Sequence, residues 1–343
     1  MRSEKKVQLT LLIVISLILI PQLCMAGKYT GDFMYIGAGV RSLGMGGAVS
    51  SIADDASAIF WNPAGISQIR KTEVEVMHAF LYENLAYYDN VSICQPLPNE
   101  VTIGLNWTRL TIPDIPVFLE DYLIEHPNVA ERSSRLDWNL PGVPDSSFTS
   151  YDDLFQFCFS KHLRTKLDFG WAFFEVPLDV YFGGNIKYIK REILNNLGNG
   201  TGFDVGLLLR SPLAGLVDID WLGDFSFGIN MQNVGGTTIT WDTESQNQDE
   251  VLFNTKLGIS LEQPLPKQHL NLILAMDTDY VYEKTHYYGM EIQYKRLLSA
   301  RMGYYFEEYT AGLSVNIYEF ILDYAFVTNT LGNTNRIGMR FSF

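Results

Sequence analysis

The side chains best suited to chemistry in this sequence are charges on alternate positions of extended segments. Asp277, Asp279 and Glu291 admit a reading as carboxylates for proton transfer. Lys256, Lys295 and Arg301 stand in neighbouring segments of the same kind, so ordinary neutralisation of those carboxylates is the expected arrangement. His78, His126, His162, His269 and His286 are far apart and lack ligand spacing, so no metal centre is expected. There is no Gly-x-Ser-x-Gly elbow, His-Glu-x-x-His pair or phosphate loop. The sequence therefore gives no catalytic residue and no cofactor, and we expect no enzyme. Cys94 and Cys158, the only cysteines after Cys24, lie in strand-like segments and are expected as buried thiols.

Two other groups of residues invite a binding role. The first is a glycine-rich stretch near the start, too irregular for a strand. Gly44, Gly46 and Gly47 permit positive φ and close backbone approach. Asp54 or Asp55 is placed to cap a short helix through Ala56–Phe60, and Asn62-Pro63 ends it. These residues are expected to shape a plug, or to latch it to its surroundings until a ligand releases it, and Phe60 and Trp61 beside them are expected to bind ligand in an apolar pocket above the plug. The second group is Phe118, Leu119, Tyr122 and Leu123, an apolar cluster in a long connection beside Glu120, Asp121 and Glu125. An exposed patch of that kind either docks a ligand or partner, or packs on itself.

The elements that must position these residues are strands. In 224–231, Phe225, Phe227, Ile229 and Met231 alternate with Asp224, Ser226, Gly228 and Asn230. In 288–295, Tyr288, Met290, Ile292 and Tyr294 alternate with Gly289, Glu291, Gln293 and Lys295. Each segment thus has one apolar face and one polar or glycine face. Many run about 9–12 residues, the length of a tilted membrane strand, with Trp107, Tyr188, Tyr294 and Tyr304 near their ends as in interfacial girdles. The polar face carries Lys187, Lys256, Asp277, Glu291, Arg301, Asp323 and Arg340, which suit a wet lumen. Fourteen segments are expected, near 72–80, 84–96, 100–110, 151–161, 177–190, 202–211, 222–233, 250–262, 268–279, 286–296, 299–306, 310–317, 319–327 and 335–343. That implies a closed antiparallel transmembrane β-barrel of the bacterial outer membrane, whose even strand number is the rule for single chains. Residues 111–150, 191–201 and 234–249 become long outer loops. Residues 162–176 are ambiguous: a longer fifth strand, a periplasmic helix or an extra hairpin.

The chain begins with Arg2, Lys5 and Lys6, an apolar run over Leu9–Ile20 and the small-residue site Cys24-Met25-Ala26. This is expected to be a signal peptide, 1–26, cleaved after Ala26. The remaining divisions are a plug, or hatch, at 27–70 and the barrel at 71–343. Without Arg2, Lys5, Lys6 and Glu4 the chain carries 22 basic and 38 acidic residues, a net charge of −16, so no nucleic-acid partner is expected. The expected partners are outer-membrane lipid, a hydrophobic ligand or a docked protein, and the barrel-assembly machinery through the terminal Phe343.

The stretch Tyr35-Ile36-Gly37-Ala38-Gly39-Val40-Arg41-Ser42-Leu43-Gly44-Met45-Gly46-Gly47-Ala48, followed by Ala53-Asp54-Asp55-Ala56-Ser57-Ala58 and Trp61-Asn62-Pro63-Ala64-Gly65-Ile66, closely resembles the opening of the PorV/PorQ family. That family belongs to the wider group of outer-membrane proteins similar to FadL, the long-chain fatty-acid transporter. Val40 and Ile66 stand where relatives often have Ala and Leu. The resemblance implies a 14-stranded barrel with an N-terminal hatch inside its lumen. It implies one of two roles: passage of hydrophobic molecules across the outer membrane, or an accessory or cargo-shuttle part in type IX protein secretion.

Overall fold

In a computed structural model of the chain, the described residues are 31–117, 144, 146–168, 175–214, 219, 221–281 and 283–343. The expected signal peptide and Phe118, Leu119, Tyr122 and Leu123 lie outside them.

Sixteen strands form one antiparallel sheet. They are β1 (Glu73–Leu81), β2 (Ala86–Leu97), β3 (Val101–Val117), β4 (Ser146–Asp168), β5 (Glu175–Ile193), β6 (Asn196–Pro212), β7 (Asp224–Gln232), β8 (Thr237–Trp241), β9 (Gln248–Val251), β10 (Asn254–Leu265), β11 (Leu270–Asp279), β12 (Thr285–Tyr294), β13 (Leu298–Tyr305), β14 (Glu308–Ile317), β15 (Phe320–Val327) and β16 (Thr334–Ser342). Strands β1–β7 and β10–β16 each pair with their sequence neighbours, β7 with β10, and β16 closes on β1 from Glu73↔Ser342 to Phe80↔Asn335. The barrel therefore has 14 strands, and closure leaves no bare edge. The chain enters β1 and leaves β16 at one end, here the near end, where Thr72 and Phe343 exchange backbone hydrogen bonds of 3.0 and 3.1 Å.

Burial along the strands is inverted relative to a soluble protein. Lys187, Lys256, Asp277, Glu291, Arg301, Asp323 and Arg340 are all buried, whereas Ile186, Tyr188, Ile292, Met302, Leu322, Tyr324, Ile337 and Met339 are exposed. Charges face the inside and apolar side chains face out around the whole ring. Such a surface requires lipid around it, and the protein is an outer-membrane barrel.

Three expectations about the connections need correction, and the one left open is resolved. Residues 191–201 are not an outer loop: β5 and β6 stay paired up to Ile193↔Asn196, around a two-residue turn. Their ends are polar and glycine-rich, so they project past the apolar band without its alternation. Residues 162–168 belong to β4, paired with 175–181 of β5, so the ambiguous stretch lengthens two strands. The 234–249 connection holds the hairpin β8–β9, which pairs with the far end of β6 at Gly198–Gly200. Strand β3 also runs seven residues into the expected 111–150 loop and β4 enters it at Ser146.

Candidate functional site

Residues 31–70 reach the inner wall of the barrel on nearly every side. Their elements are brief: 3-10 turns at Asp32–Tyr35 and Pro63–Gln68, and single helical turns at Val40–Gly44 and Ala58–Trp61. Helices this short are not stable alone; the wall holds them. Almost every residue from Gly37 to Ser67 is buried, Arg41, Asp55 and Asn62 included.

Glycines of the wall decide where the segment lies. A Cβ at Gly303 of β13 would come within 2.5 Å of the Met45 carbonyl carbon. One at Gly289 of β12 would come within 2.5 Å of the Met45 oxygen, and one at Gly183 of β5 within 2.5 Å of the Pro63 oxygen. Gly228 and Gly312 meet the Ser50 and Gly44 backbone in the same way, while Gly104, Gly206 and Gly338 make room for the side chains of Ile59, Asn62 and Val40. The approach is mutual at Gly46 (φ +63°), where a Cβ would meet the Tyr304 nitrogen at 2.9 Å. Backbone thus lies on backbone, at a distance only glycine allows.

Where the wall is not glycine it is polar, and it pairs with the segment's backbone. Asp277 accepts from the N–H groups of Val49 (3.0 Å) and Ser50 (2.8 Å). Glu73 accepts from Ala56 N–H and Glu75 from Ser57 N–H. Asn185, Asn230, Ser160, Thr310 and Tyr88 donate to the carbonyls of Ile59, Trp61, Ala64, Gly44 and Phe33. Lys256 donates to the Gly47 carbonyl at 3.0 Å, with its ammonium 3.8 Å from the Tyr287 ring centre and 4.8 Å from that of Trp61. An irregular chain in a polar lumen thereby satisfies its buried backbone groups.

A closed ring of charge joins segment to wall. Arg41 donates to Glu291 of β12 through Nε (3.0 Å) and Nη2 (2.9 Å). Glu291 contacts Arg301 of β13 (2.8 Å), which contacts Asp323 of β15 (3.3 Å). Asp323 contacts Arg340 of β16 (3.3 Å), which reaches Asp55 (3.2 Å), and Asp55 returns to Arg41 (3.5 Å). Asp54 is a further acid on Arg41. Burial acts to raise the Asp55 pKa, but Arg340 and Arg41 outweigh it, and the carboxyl titrates below its usual range.

The candidate residues fall into place as follows. Gly44, Gly46 and Gly47 lie against β12–β14. Asp55 does not cap the Ala58–Trp61 helix itself; it accepts from Ser57 Oγ (2.6 Å) and N–H (3.2 Å), one turn earlier. Asn62 accepts from Ala64 N–H, and its amide donates to Ser50 O (2.6 Å) and Leu207 O (3.3 Å), so helix end and wall contact share one side chain with Pro63 following. Phe60 and Trp61 are buried in edge-to-face contact and border a cavity of about 50 Å³. Cys94 and Cys158 are unpaired thiols on the wall, packed with Ala53, Ala56, Ile59 and Ile66 of the segment. Asp277 and Glu291 are occupied by the segment, Asp279 accepts from Tyr287 OH (2.7 Å), and Lys295 lies over Tyr294 at a near-end turn. Among the described residues no group of His, Cys, Asp and Glu could hold a metal ion.

Sequence reasoning missed Arg41 and its partners Asp323 and Arg340 as a site, although all three were quoted. The signal available was that Arg41 is the sole charged residue between Asp32 and Asp54, and it has to find acids when it is buried.

Cavities border the segment at both ends. A far-end vestibule of about 540 Å³ is floored by Tyr35 and Ile36 and walled by Tyr82, Tyr287, Tyr305 and Arg336. The 50 Å³ chamber beside Phe60 and Trp61 shares Tyr35, Ile36, Asp279, Tyr287 and Tyr305 with it. A near-end recess of about 220 Å³ exposes the charge ring at Arg41, Asp54, Glu291, Arg301 and Arg340.

The class defined by this geometry is a closed 14-stranded outer-membrane barrel occupied by its own N-terminal segment. No family model matches the chain, and no curated protein matches it. Among solved structures it is similar to a deletion mutant of the monoaromatic hydrocarbon channel TodX, with TM-score 0.51 and 12% identity over 90% of this chain and 99% of that one. The toluene transporters TodX of Pseudomonas putida and TbuX of Ralstonia pickettii give TM-scores of 0.48 and 0.47, each at 11% identity. They are covered over 96% and 98% of their length by 89% and 90% of this chain. The likeness is one of fold.

Proposed function

We propose that the protein is an outer-membrane channel for small, largely apolar molecules, closed at rest by residues 31–70. The observation that carries this reading is the vestibule of about 540 Å³, the size of a small-molecule site, whose floor is the segment itself. A ligand seated against Tyr35 and Ile36 touches the element that blocks its path, so binding can bias that element's position. Phe118, Leu119, Tyr122 and Leu123 would gather ligand outside, and Phe60 and Trp61 would meet it once the segment shifts. Gly44, Gly46, Gly47, Asp54, Asp55, Asn62 and Pro63 form the latch that must let go. TodX and TbuX, named for monoaromatic hydrocarbons and toluene, lend this reading an analogy of fold only. Outer-membrane lipid surrounds the barrel, and the assembly machinery would read the exposed Phe343. Uptake of labelled toluene into proteoliposomes tests the reading. Uptake above that of empty vesicles is expected; equal uptake refutes it.

A second reading is favoured by how full the lumen is, with cavities of only about 50 and 220 Å³ beyond the vestibule. A PorV/PorQ-type accessory or cargo-shuttle component of a type IX secretion system needs no through-path. Native mass spectrometry of the purified protein separates the two, since a retained small molecule supports the channel and a retained cargo domain the shuttle.

A further inference from the structure

The vestibule holds two buried charges left incomplete. Arg336, on β16, is 3% exposed; its Nη2 donates to the Ile36 carbonyl at 3.4 Å, while Nε and Nη1 have no hydrogen-bond partner. Asp279, at the end of β11, is also 3% exposed; its Oδ2 accepts from Tyr287, while Oδ1 has no partner. Both residues line the same cavity. A buried guanidinium left with vacant donors is costly to keep, and a carboxylate oxygen accepting from Nε or Nη1 would relieve it. The vacant carboxylate oxygen of Asp279 matches an ammonium.

These two groups are five strands apart in a ring of fourteen and line one cavity. A ligand that completes both carries its charges at opposite ends. Between them the vestibule offers aromatic rings: Tyr287 and Tyr305 stack with centres 5.6 Å apart, beside Tyr35 and Tyr82. The rim adds Glu283 and Glu308, which favour a cationic end near the mouth. We infer that the vestibule binds short zwitterionic peptides, with the C-terminal carboxylate on Arg336, the N-terminal ammonium on Asp279, and apolar or aromatic side chains against the tyrosines. This rests on the vestibule being the receiving site of the proposed channel, and it adds a zwitterionic ligand class to the largely apolar one.

The test is equilibrium binding to the full-length barrel in detergent, using Gly-Tyr-Gly, its C-terminal amide, its N-acetyl form and toluene. Gly-Tyr-Gly is expected to bind, and each capped form to bind about tenfold or more weakly. In Arg336→Gln the penalty for amidation should vanish while that for acetylation stays; in Asp279→Asn the reverse should hold. Arg336→Gln removes a buried cation whose one hydrogen bond is the 3.4 Å contact to Ile36, so its heat-modifiable gel mobility and melting temperature should not fall; Arg336→Lys should bind with intermediate strength. Capped peptides binding as well as the parent, or toluene binding where no peptide does, would overturn the inference. Peptide that binds a barrel that passes no labelled toluene into vesicles would leave the inference standing and remove the channel reading instead.

Discussion

Replacing Arg41 with methionine should loosen the N-terminal segment from the wall. Arg41 is one of three cations in a ring with Glu291, Asp323 and Asp55, and it also holds Asp54. Without it, two arginines face four acids, and Glu291, fully buried, keeps only Arg301. Removing one member of a buried ion network costs about 3–5 kcal/mol, mostly as the penalty on the charge left behind. The cost falls on the docked state alone, because a displaced segment exposes those acids to water. The ratio of displaced to docked segment should therefore rise by roughly two to three and a half orders of magnitude. Single-channel recording in planar bilayers reads this as the frequency of open-pore events. The double variant Arg41→Met/Glu291→Gln should recover part of the loss, since it removes the stranded charge along with its partner. An Arg41→Met barrel as silent as the wild type would refute the reasoning, and so would a double variant worse than the sum of the two singles.

Other consequences follow from the same contacts. Gly303→Leu would force a side chain into the Met45–Gly46 backbone, which should destabilise the barrel by about 1–3 kcal/mol, seen as a lower temperature of heat-modified gel mobility. Because Asp55 titrates below its ordinary range in the folded protein, its contribution is complete above the unfolded value of about 3.9. That contribution is lost as pH falls through the lower folded value. Protease cleavage within 31–70 should therefore accelerate only below about pH 4, and Asp55→Asn should lose that part of the pH dependence. On the outside, Leu313→Arg places a charge at a side chain that is 60% exposed. In lipid it should cost about 2–4 kcal/mol near the midplane, measured by reversible unfolding in bilayers. A much smaller effect would mean that this face does not meet lipid.

The strands were legible because lipid and lumen each select one face, so period two persists from 73 to 342. Legibility stopped where that selection stops. The ends of β5 and β6 at Arg191–Asn199 rise above the apolar band, and their polar residues read as a loop. The charges on the inner face were recognised as lumen charges, but their partners were not. Arg41 and Glu291 are 250 residues apart, and nothing local ties one to the other. The wall glycines at 183, 206, 228, 289, 303 and 312 were visible as the small side of each strand. That they trace the path of the N-terminal backbone appears only once both surfaces are placed together.

The most direct test uses the two thiols among the described residues. Cys94 and Cys158 are fully buried on the inner wall, beneath Ala53, Ala56, Ile59 and Ile66. A bulky maleimide applied to the folded barrel in vesicles should modify neither, and unfolding should expose both. Rapid modification of both thiols in the folded wild-type barrel would show that residues 31–70 do not occupy the lumen.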